Sequence, residues 1–469
     1  MNSRPILSEL KALVVLAAPL AIAQLGMHLM GAVDVAVVGR LGAVPLAAVG
    51  LGNGIFFTLS VMGMGAMMGL DPLVSQALGA GEQVHARRLL WQGIWLSCAV
   101  GLVLSAAVLV VPWFLEPFGI APEVATETRR YLFVRLFSMI PLLAFTGLRS
   151  YLQSARVVWP LVVSVAVANV ANLVFVWLFV FGGAAAPLVG EALAWIPPMG
   201  VAGAAVATVG CTFLQLVILA FGVKRVRVAG FERGHRRPVK ADLRRSLAVG
   251  VPVGLQMGAE VGIFALAGLL AGRIGADALA SHQIALTLAS LSFTTAVGIG
   301  TAGGVRVGLA IGSNDTRGVR RAGLTAFVAG GGFMVLSAMA FVLIPGPIIA
   351  LLTDKPDLIE AAIPLLAVAA IFQISDGLQG VGAGVLRGAG DTRFTFLANV
   401  AGHYLVGLPV VLVLSVFGDL GVEGLWYGLA AGLTAVAVSL LVRFLKVSSK
   451  PIRAISAADA ERLAPEDAA

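Results

Sequence analysis

The chain has 469 residues, of which 59% are hydrophobic and only 12% charged, and its mean hydropathy is +0.97. A soluble chain of this length carries about 25% charged residues, so a water-soluble globular protein is excluded. A net charge of +8 would suggest nucleic acid as the partner of a soluble protein; in a chain this apolar the placement of the charges outweighs their sum.

Backbone groups in lipid need internal hydrogen-bond partners, which leaves helices or a closed barrel. The apolar runs are long and continuous, not short and alternating, so they predict helices. In chain order the helices fall at 11–37, 46–70, 88–112, 129–150, 160–182, 200–223, 245–272, 278–303, 320–345, 359–385, 394–417 and 421–445. The first 30 residues lack a small-residue cleavage site after a short apolar core, so the stretch from Ala12 onward reads as a retained first helix, not a removed signal peptide. The 57 glycines suit helices whose backbones approach closely. Cys98 and Cys211 both lie within apolar runs and support neither a disulfide nor a metal site.

With the N-terminus inside, the cytoplasmic ends and loops hold 26 of the 32 Lys and Arg. The external loops hold Arg40, Arg129, Arg130, Arg273 and Lys355, and Arg135 falls inside the fourth helix. The positive-inside rule then places both termini in the cytoplasm. The basic stretch 224–245 reads as a topology anchor that touches anionic lipid, and no nucleic-acid partner is expected.

The chain repeats itself. Shifted by 233 residues it aligns on itself without a gap over about 70 residues. Pro19 meets Pro252, and Gly39-Arg40-Leu41-Gly42-Ala43 meets Gly272-Arg273-Ile274-Gly275-Ala276. Gly65 meets Gly298, Gly79 meets Gly312, and the Arg87-Arg88 pair meets Arg320-Arg321 in what read as equivalent internal turns. After a slip of one residue Leu152 meets Leu386 and Ala155 meets Ala389; beyond a longer loop at 182–199, Gly200 and Gly203 meet Gly421 and Gly424. Six helices per half is an even number, so the halves are parallel repeats related by a pseudo-two-fold axis along the membrane normal. The expected fold is an all-α integral membrane protein of about twelve transmembrane helices in two six-helix lobes. The lobes span 1–222 and 246–446, joined by the basic loop 223–245 and followed by a polar tail at 447–469.

Three of the 24 acidic residues lie well inside apolar segments: Asp34, Glu260 and Asp376. A carboxylate at bilayer depth costs roughly 2.5–3.5 kcal/mol even on the lenient insertion scale. It persists there by facing a cavity, by pairing or by taking up a proton. Glu260 and Asp376 belong to the same half and are placed to share one cation, such as Na+, or to hold a proton; Asp34 stands alone in the other half. The repeat sets Asp34 opposite Ala267 and Glu260 opposite Met27, so the halves keep their helices and differ in their acids. Asn169 and Asn172, three apart, share a helix face. Gln24, Gln256, His282 and Gln283 are further polar candidates for the pathway, each equally explained by interhelical hydrogen bonding. Met27, Met30, Met257, Phe56 and Phe57 are candidates for an adaptable apolar surface, with ordinary packing the plainer explanation. No G-x-x-x-x-G-K-[ST] motif, His/Cys metal cluster or nucleophile elbow occurs, so no cofactor and no enzymatic chemistry are expected.

The residues resemble a known family. Pro19 with Gly31-Ala32-Val33-Asp34 and Val38-Gly39-Arg40-Leu41-Gly42 is similar to the opening of the multidrug and toxic compound extrusion (MATE) transporters. So are Ala280-Ser281-His282-Gln283-Ile284-Ala285 and, most specifically, Leu386-Arg387-Gly388-Ala389-Gly390-Asp391-Thr392-Arg393. Glu260 and Asp376 resemble the C-lobe cation-site carboxylates of the NorM branch, Asp34 the family's N-lobe acid, and Asn169 and Asn172 its fifth-helix asparagines. The second buried N-lobe acid of the DinF-like branch is absent. The resemblance implies a monomeric antiporter of the bacterial cytoplasmic (inner) membrane that needs no cofactor. It would export organic, often cationic and amphipathic compounds in exchange for Na+ or H+, multidrug efflux of the kind that confers antibiotic resistance. The alternative is a lipid-linked precursor flippase of the same superfamily; such a protein needs cationic side chains in its cavity, whereas the buried charges here are mainly acidic.

Overall fold

The computed structural model describes residues 6–183, 193 and 195–455. Residues 456–469 of the tail, and most of the longer loop at 182–199, lie outside the described residues. Among those described, twelve helices are long and apolar enough to cross a membrane, and there is no strand. They are α1 (Ile6–Val38), α2 (Ala43–Gly79), α3 (Gln83–Phe114), α4 (Pro122–Ser154), α5 (Trp159–Phe181), α6 (Gly200–Arg225), α7 (Lys240–Ile274), α8 (Ala276–Gly312), α9 (Thr316–Leu343), α10 (Pro356–Gly388), α11 (Thr392–Val416) and α12 (Gly421–Val447).

All twelve expected helices are present, and most run longer than their apolar runs. Hydropathy marks the slab of the bilayer, while the backbone ladder continues into the polar zone wherever no breaker stops it. Arg87-Arg88 and Arg320-Arg321, expected in turns, therefore lie within the first turns of α3 and α9. Where chains do turn, glycine permits it: Gly42, Gly182 and Gly390 adopt φ of +124°, +84° and +81°.

Two compact units divide the described chain. One is built from Met1–Ala21, Asp71–Gln83 and Leu255–Ala469, the other from Ile22–Leu70 and Val84–Gly254. Each unit thus holds most of one repeat together with the start of the other repeat's first helix. Small residues make that exchange possible. In the second unit α7 lies backbone to backbone on α2: a Cβ on Gly250 would sit 1.9 Å from the Ala66 carbonyl oxygen, and one on Gly254 2.4 Å from that of Met62. In the first unit the equivalent seam brings α1 onto α8, where a Cβ on Gly298 would meet Ala21 at 3.0 Å.

Ion pairs anchor both borrowed segments. Asp242, at the start of α7, pairs with Arg88 at 3.0 Å and Arg245 at 3.6 Å. Its repeat equivalent Glu9, in α1, pairs with Arg306 of α8 at 2.5 Å. Asp71 is held likewise, by Arg387 of α10 at 3.5 Å. These acids are buried, and removing one partner of such a pair costs about 3–5 kcal/mol because a charge is left uncompensated.

The first unit's core centres on Trp426, with the rings of Phe372 at 4.9 Å and His282 at 5.8 Å. Along its α8–α10 seam Gly300 and Gly304 face Gly380, Gly384 and Gly388. The second unit packs Phe56, Tyr131, Val176 and Val201 together between α2, α4, α5 and α6.

Candidate functional site

In the first unit the polar groups converge on one carboxylate. Gln256 and Glu260 are one turn apart on α7, so both side chains share a face, and the Gln256 amide donates to Glu260 Oε1 at 3.1 Å. Gln379 of α10 and Asn399 of α11 donate to that same oxygen. Three helices therefore deliver three neutral N–H donors to Oε1, while Oε2 has no partner among the described residues. Asp376 is one turn before Gln379 on the same face of α10, is buried, and feels the charge of Glu260. It has neither a hydrogen bond nor an ion pair among the described residues.

The cluster gathers groups of the kind that can hold a cation or a proton. Amide donors order a carboxylate without neutralising it, since none brings a positive charge. Arg387, two turns beyond Gln379 on α10, pairs with Asp71 at 3.5 Å, and its charge also acts on Glu260 without contacting it. Two acids without a contacting cation in a low-dielectric setting call for a bound cation or a proton.

In the second unit Asp34 of α1 is buried and doubly anchored. Asn172 of α5 donates to its Oδ1 at 2.9 Å, and Thr208 of α6 to its Oδ2 at 2.9 Å. Asn172 is itself fully buried, with its Oδ1 unpartnered among the described residues. Asp34 also feels the charge of Arg135, whose guanidinium lies 4.3 Å over the Phe56 ring.

The other candidates divide. Asn169 donates at 2.9 Å to the Gly26 carbonyl of α1 and to Val165, so it clasps two helices and does not touch the acid. Gln24 accepts from Arg149 at 3.3 Å. His282 is buried and accepts the indole N–H of Trp426 at 3.2 Å, whereas its neighbour Gln283 is exposed. Met257 is half-buried beside Gln256, as are Met27 and Met30 on α1, while Phe57 is exposed.

Sequence reasoning missed Gln379, Asn399 and Thr208. Gln379 carried a signal, three residues after Asp376 on one helix face, and Asn399 is the only asparagine in α11. Thr208 carried none, because a hydroxyl in an apolar helix usually bonds its own backbone, as this one also does to Ala204 at 3.0 Å.

Comparison with known proteins gives the family. The MatE family model matches twice, at residues 19–178 and 252–413. The matches begin at Pro19 and Pro252, the positions that the internal repeat superposes. The chain is 36% identical over 454 residues to the probable multidrug resistance protein NorM of Mesorhizobium japonicum, covering 93% of this chain and 94% of that one. It is 35% identical to the multidrug resistance protein NorM of Burkholderia vietnamiensis, over 92% and 93% of the two chains. Among solved structures it is similar to a MATE protein in its straight conformation (TM-score 0.82, 19% identity, 94% of this chain and 96% of that one). It is likewise similar to the eukaryotic MATE transporter AtDTX14 (TM-score 0.80, 20% identity, the same coverage). The chain belongs to the MatE family, whose members are membrane transporters and not enzymes.

Proposed function

We propose that this protein exports organic, often cationic and amphipathic compounds by antiport with Na+ or H+, the two lobes exposing the pathway alternately to each side of the membrane. Its relatives are named multidrug resistance proteins, and membership of the family carries multidrug efflux to this chain. The observation that carries the ion coupling is the Glu260 cluster: three amide donors on one oxygen, with buried Asp376, one turn before Gln379 on α10, lacking a hydrogen bond or ion pair among the described residues. Glu260 and Asp376 bind the ion, and Asp34, in the other unit, takes part in coupling or touches the substrate. The basic residues at the helix ends support cytoplasmic termini, in a bacterial inner membrane. An inward cation then gains about 2.3 kcal/mol per 100 mV of potential, enough to sustain roughly a fiftyfold gradient of a neutral solute. Competition of drug and ion for the same state of the lobes supplies the exchange. The protein acts as a monomer and needs no cofactor.

The test uses purified protein in liposomes loaded with a fluorescent organic cation, with a Na+ gradient or a pH gradient imposed separately. One gradient drives transport by the native chain; Glu260→Gln abolishes the driven component, and Asp34→Asn lowers it. Driven transport that survives in Glu260→Gln would remove the ion site from this cluster. No transport by the folded native chain under either gradient would shift the substrate class, to a lipid-linked precursor first.

A further inference from the structure

A groove of about 600 Å³ lies at one end of the first unit, between the start of α1, the start of α9 and the end of α12. Its wall is graded. Arg317, Arg320 and Arg321 line its polar end on the first turns of α9, and Leu324 and Val328 continue the Arg320 face at four-residue steps. Leu10 of α1 adds to the apolar part. Val328 is 74% exposed, so the apolar end of the groove opens outward along a membrane-spanning helix. Arg317 and Arg320 are exposed and form neither an ion pair nor a hydrogen bond among the described residues. The acids adjacent in sequence are engaged elsewhere: Glu9 by Arg306, and Asp315 by the backbone N–H of Gly318. Ser448 also lines the groove; it is 2% exposed, yet its hydroxyl has no partner among the described residues.

We infer that this groove binds an anionic phospholipid, with the phosphate against Arg317, Arg320 and the Ser448 hydroxyl and an acyl chain along Leu324 and Val328. A cationic cluster directly above an apolar, outward-facing strip matches a lipid, whose charge and chain are joined in that order. Basic residues near a bilayer surface attract anionic headgroups, and basic pockets between membrane helices hold them. The groove is separate from the acidic clusters assigned to transport. Only the choice of leaflet, the cytoplasmic one, rests on the orientation proposed above.

The rival occupant for the same cations would be the chain's own end: residues 456–469 carry four acids and one arginine. They offer charge but no long apolar chain for the strip below the arginines, and the graded wall favours the lipid.

The experiment is native mass spectrometry of the full chain in detergent, titrated with phosphatidylglycerol or phosphatidylcholine of the same acyl chains. The native protein prefers phosphatidylglycerol by about tenfold or more, and Arg317→Ala with Arg320→Ala removes the preference. Arg273→Ala with Lys355→Ala, which deletes the same charge from exposed positions outside both the groove and the basic stretch 224–245, keeps it. Arg317→Lys with Arg320→Lys keeps most of it, and this conservative pair serves if the alanine pair does not yield monodisperse protein: loss of preference in folded lysine protein would count against the site. A preference unchanged in the alanine pair overturns the inference. So does no preference in the native chain, or a preference that appears only after residues 456–469 are deleted, which would make the tail the occupant.

Discussion

At the scale of single residues, the two halves solve the problem of a buried acid differently. Asp34 receives one donor on each oxygen, from Asn172 and Thr208. Glu260 receives three on one oxygen and, among the described residues, none on the other. The first arrangement satisfies the carboxyl on both sides; the second leaves half of it available to an ion. Removing Asn399 should therefore loosen the proposed ion site without unfolding the protein. Asn399→Ala is expected to raise the ion concentration for half-maximal driven transport about tenfold, the effect of one lost charge-assisted hydrogen bond, with an unchanged melting temperature. An unchanged ion dependence in liposomes would show that this amide is not part of the site. Asn169 and Asn172 make the converse pair. Asn169→Ala breaks the clasp between α5 and α1, so it should lower thermal stability by about 0.5–1.5 kcal/mol and spare the ion dependence. Asn172→Ala should alter driven transport, because it strips a donor from Asp34. Equal effects of the two on both readouts would contradict the division. The acids were legible in the sequence because an ionisable group in an apolar run is costly and therefore conspicuous. Their partners were not, since uncharged amides and hydroxyls cost little in a helix and can bond within it; which of two asparagines on one face reaches Asp34 is decided by the tertiary packing of α5.

At the scale of helices, glycine does the work that hydrophobicity cannot do in lipid. Apolar side chains gain nothing by leaving an apolar solvent, so helices associate through close backbone approach and polar contacts. The α8–α10 seam shows it: a Cβ on Gly384 would lie 2.3 Å from the Gly300 carbonyl oxygen, and one on Gly388 2.1 Å from that of Gly304. Backbone cannot step aside as a flexible side chain can. Gly384→Ala should thus cost about 3 kcal/mol or more by overpacking, whereas Gly332→Ala, with nothing within 4 Å of its new methyl, should be neutral. Size-exclusion profiles and melting curves of the two variants in detergent decide the matter; a native-like Gly384→Ala would refute the tight seam. The segment from Leu386 to Arg393, recognisable in sequence as a motif, acts as a joint between helices. Arg387 pairs with Asp71, the Gly388 carbonyl accepts from Gln76 at 3.1 Å, Gly390 makes the turn, and Asp391 pairs with Arg443 at 2.6 Å. The number of helices was readable because each crosses an apolar slab of fixed thickness. Their ends were not, because polar residues such as Asp71, Ser75 and Gln76 extend α2 beyond its apolar run.

At the scale of the whole molecule, the repeat was visible in sequence, yet the exchange of segments between the repeats was not. Self-alignment reports which residues are equivalent, and nothing in it says that the start of each first helix packs with the other half. That information lies in the partners. Glu9 and Asp242 are equivalent in the repeat, and each pairs with an arginine of the opposite half. Ala21 and Gly254 are equivalent too, each packed on a small-residue stretch of the opposite half, around Gly298 and around Met62–Ala66 respectively. Each compact unit therefore lacks part of its core until both halves are present. Cutting the chain at Gly230, an exposed glycine with φ of +74° in the basic connection, severs no spanning helix. Expressed alone, residues 230–469 would lack the α1 segment that covers Gly298 and neutralises Arg306. Residues 1–229 would lack the α7 segment that packs on Ala66 and supplies Asp242 to Arg88. Neither piece should be monodisperse in detergent by itself, and co-expression should yield one complex that copurifies through a tag on either piece and melts near the intact chain. Asp242→Ala in the second piece should reduce recovery of that complex, since it removes the anion from Arg88. A piece 230–469 that is monodisperse alone, with a native-like melting curve, would mean that the borrowed start of α1 is dispensable to the unit it completes.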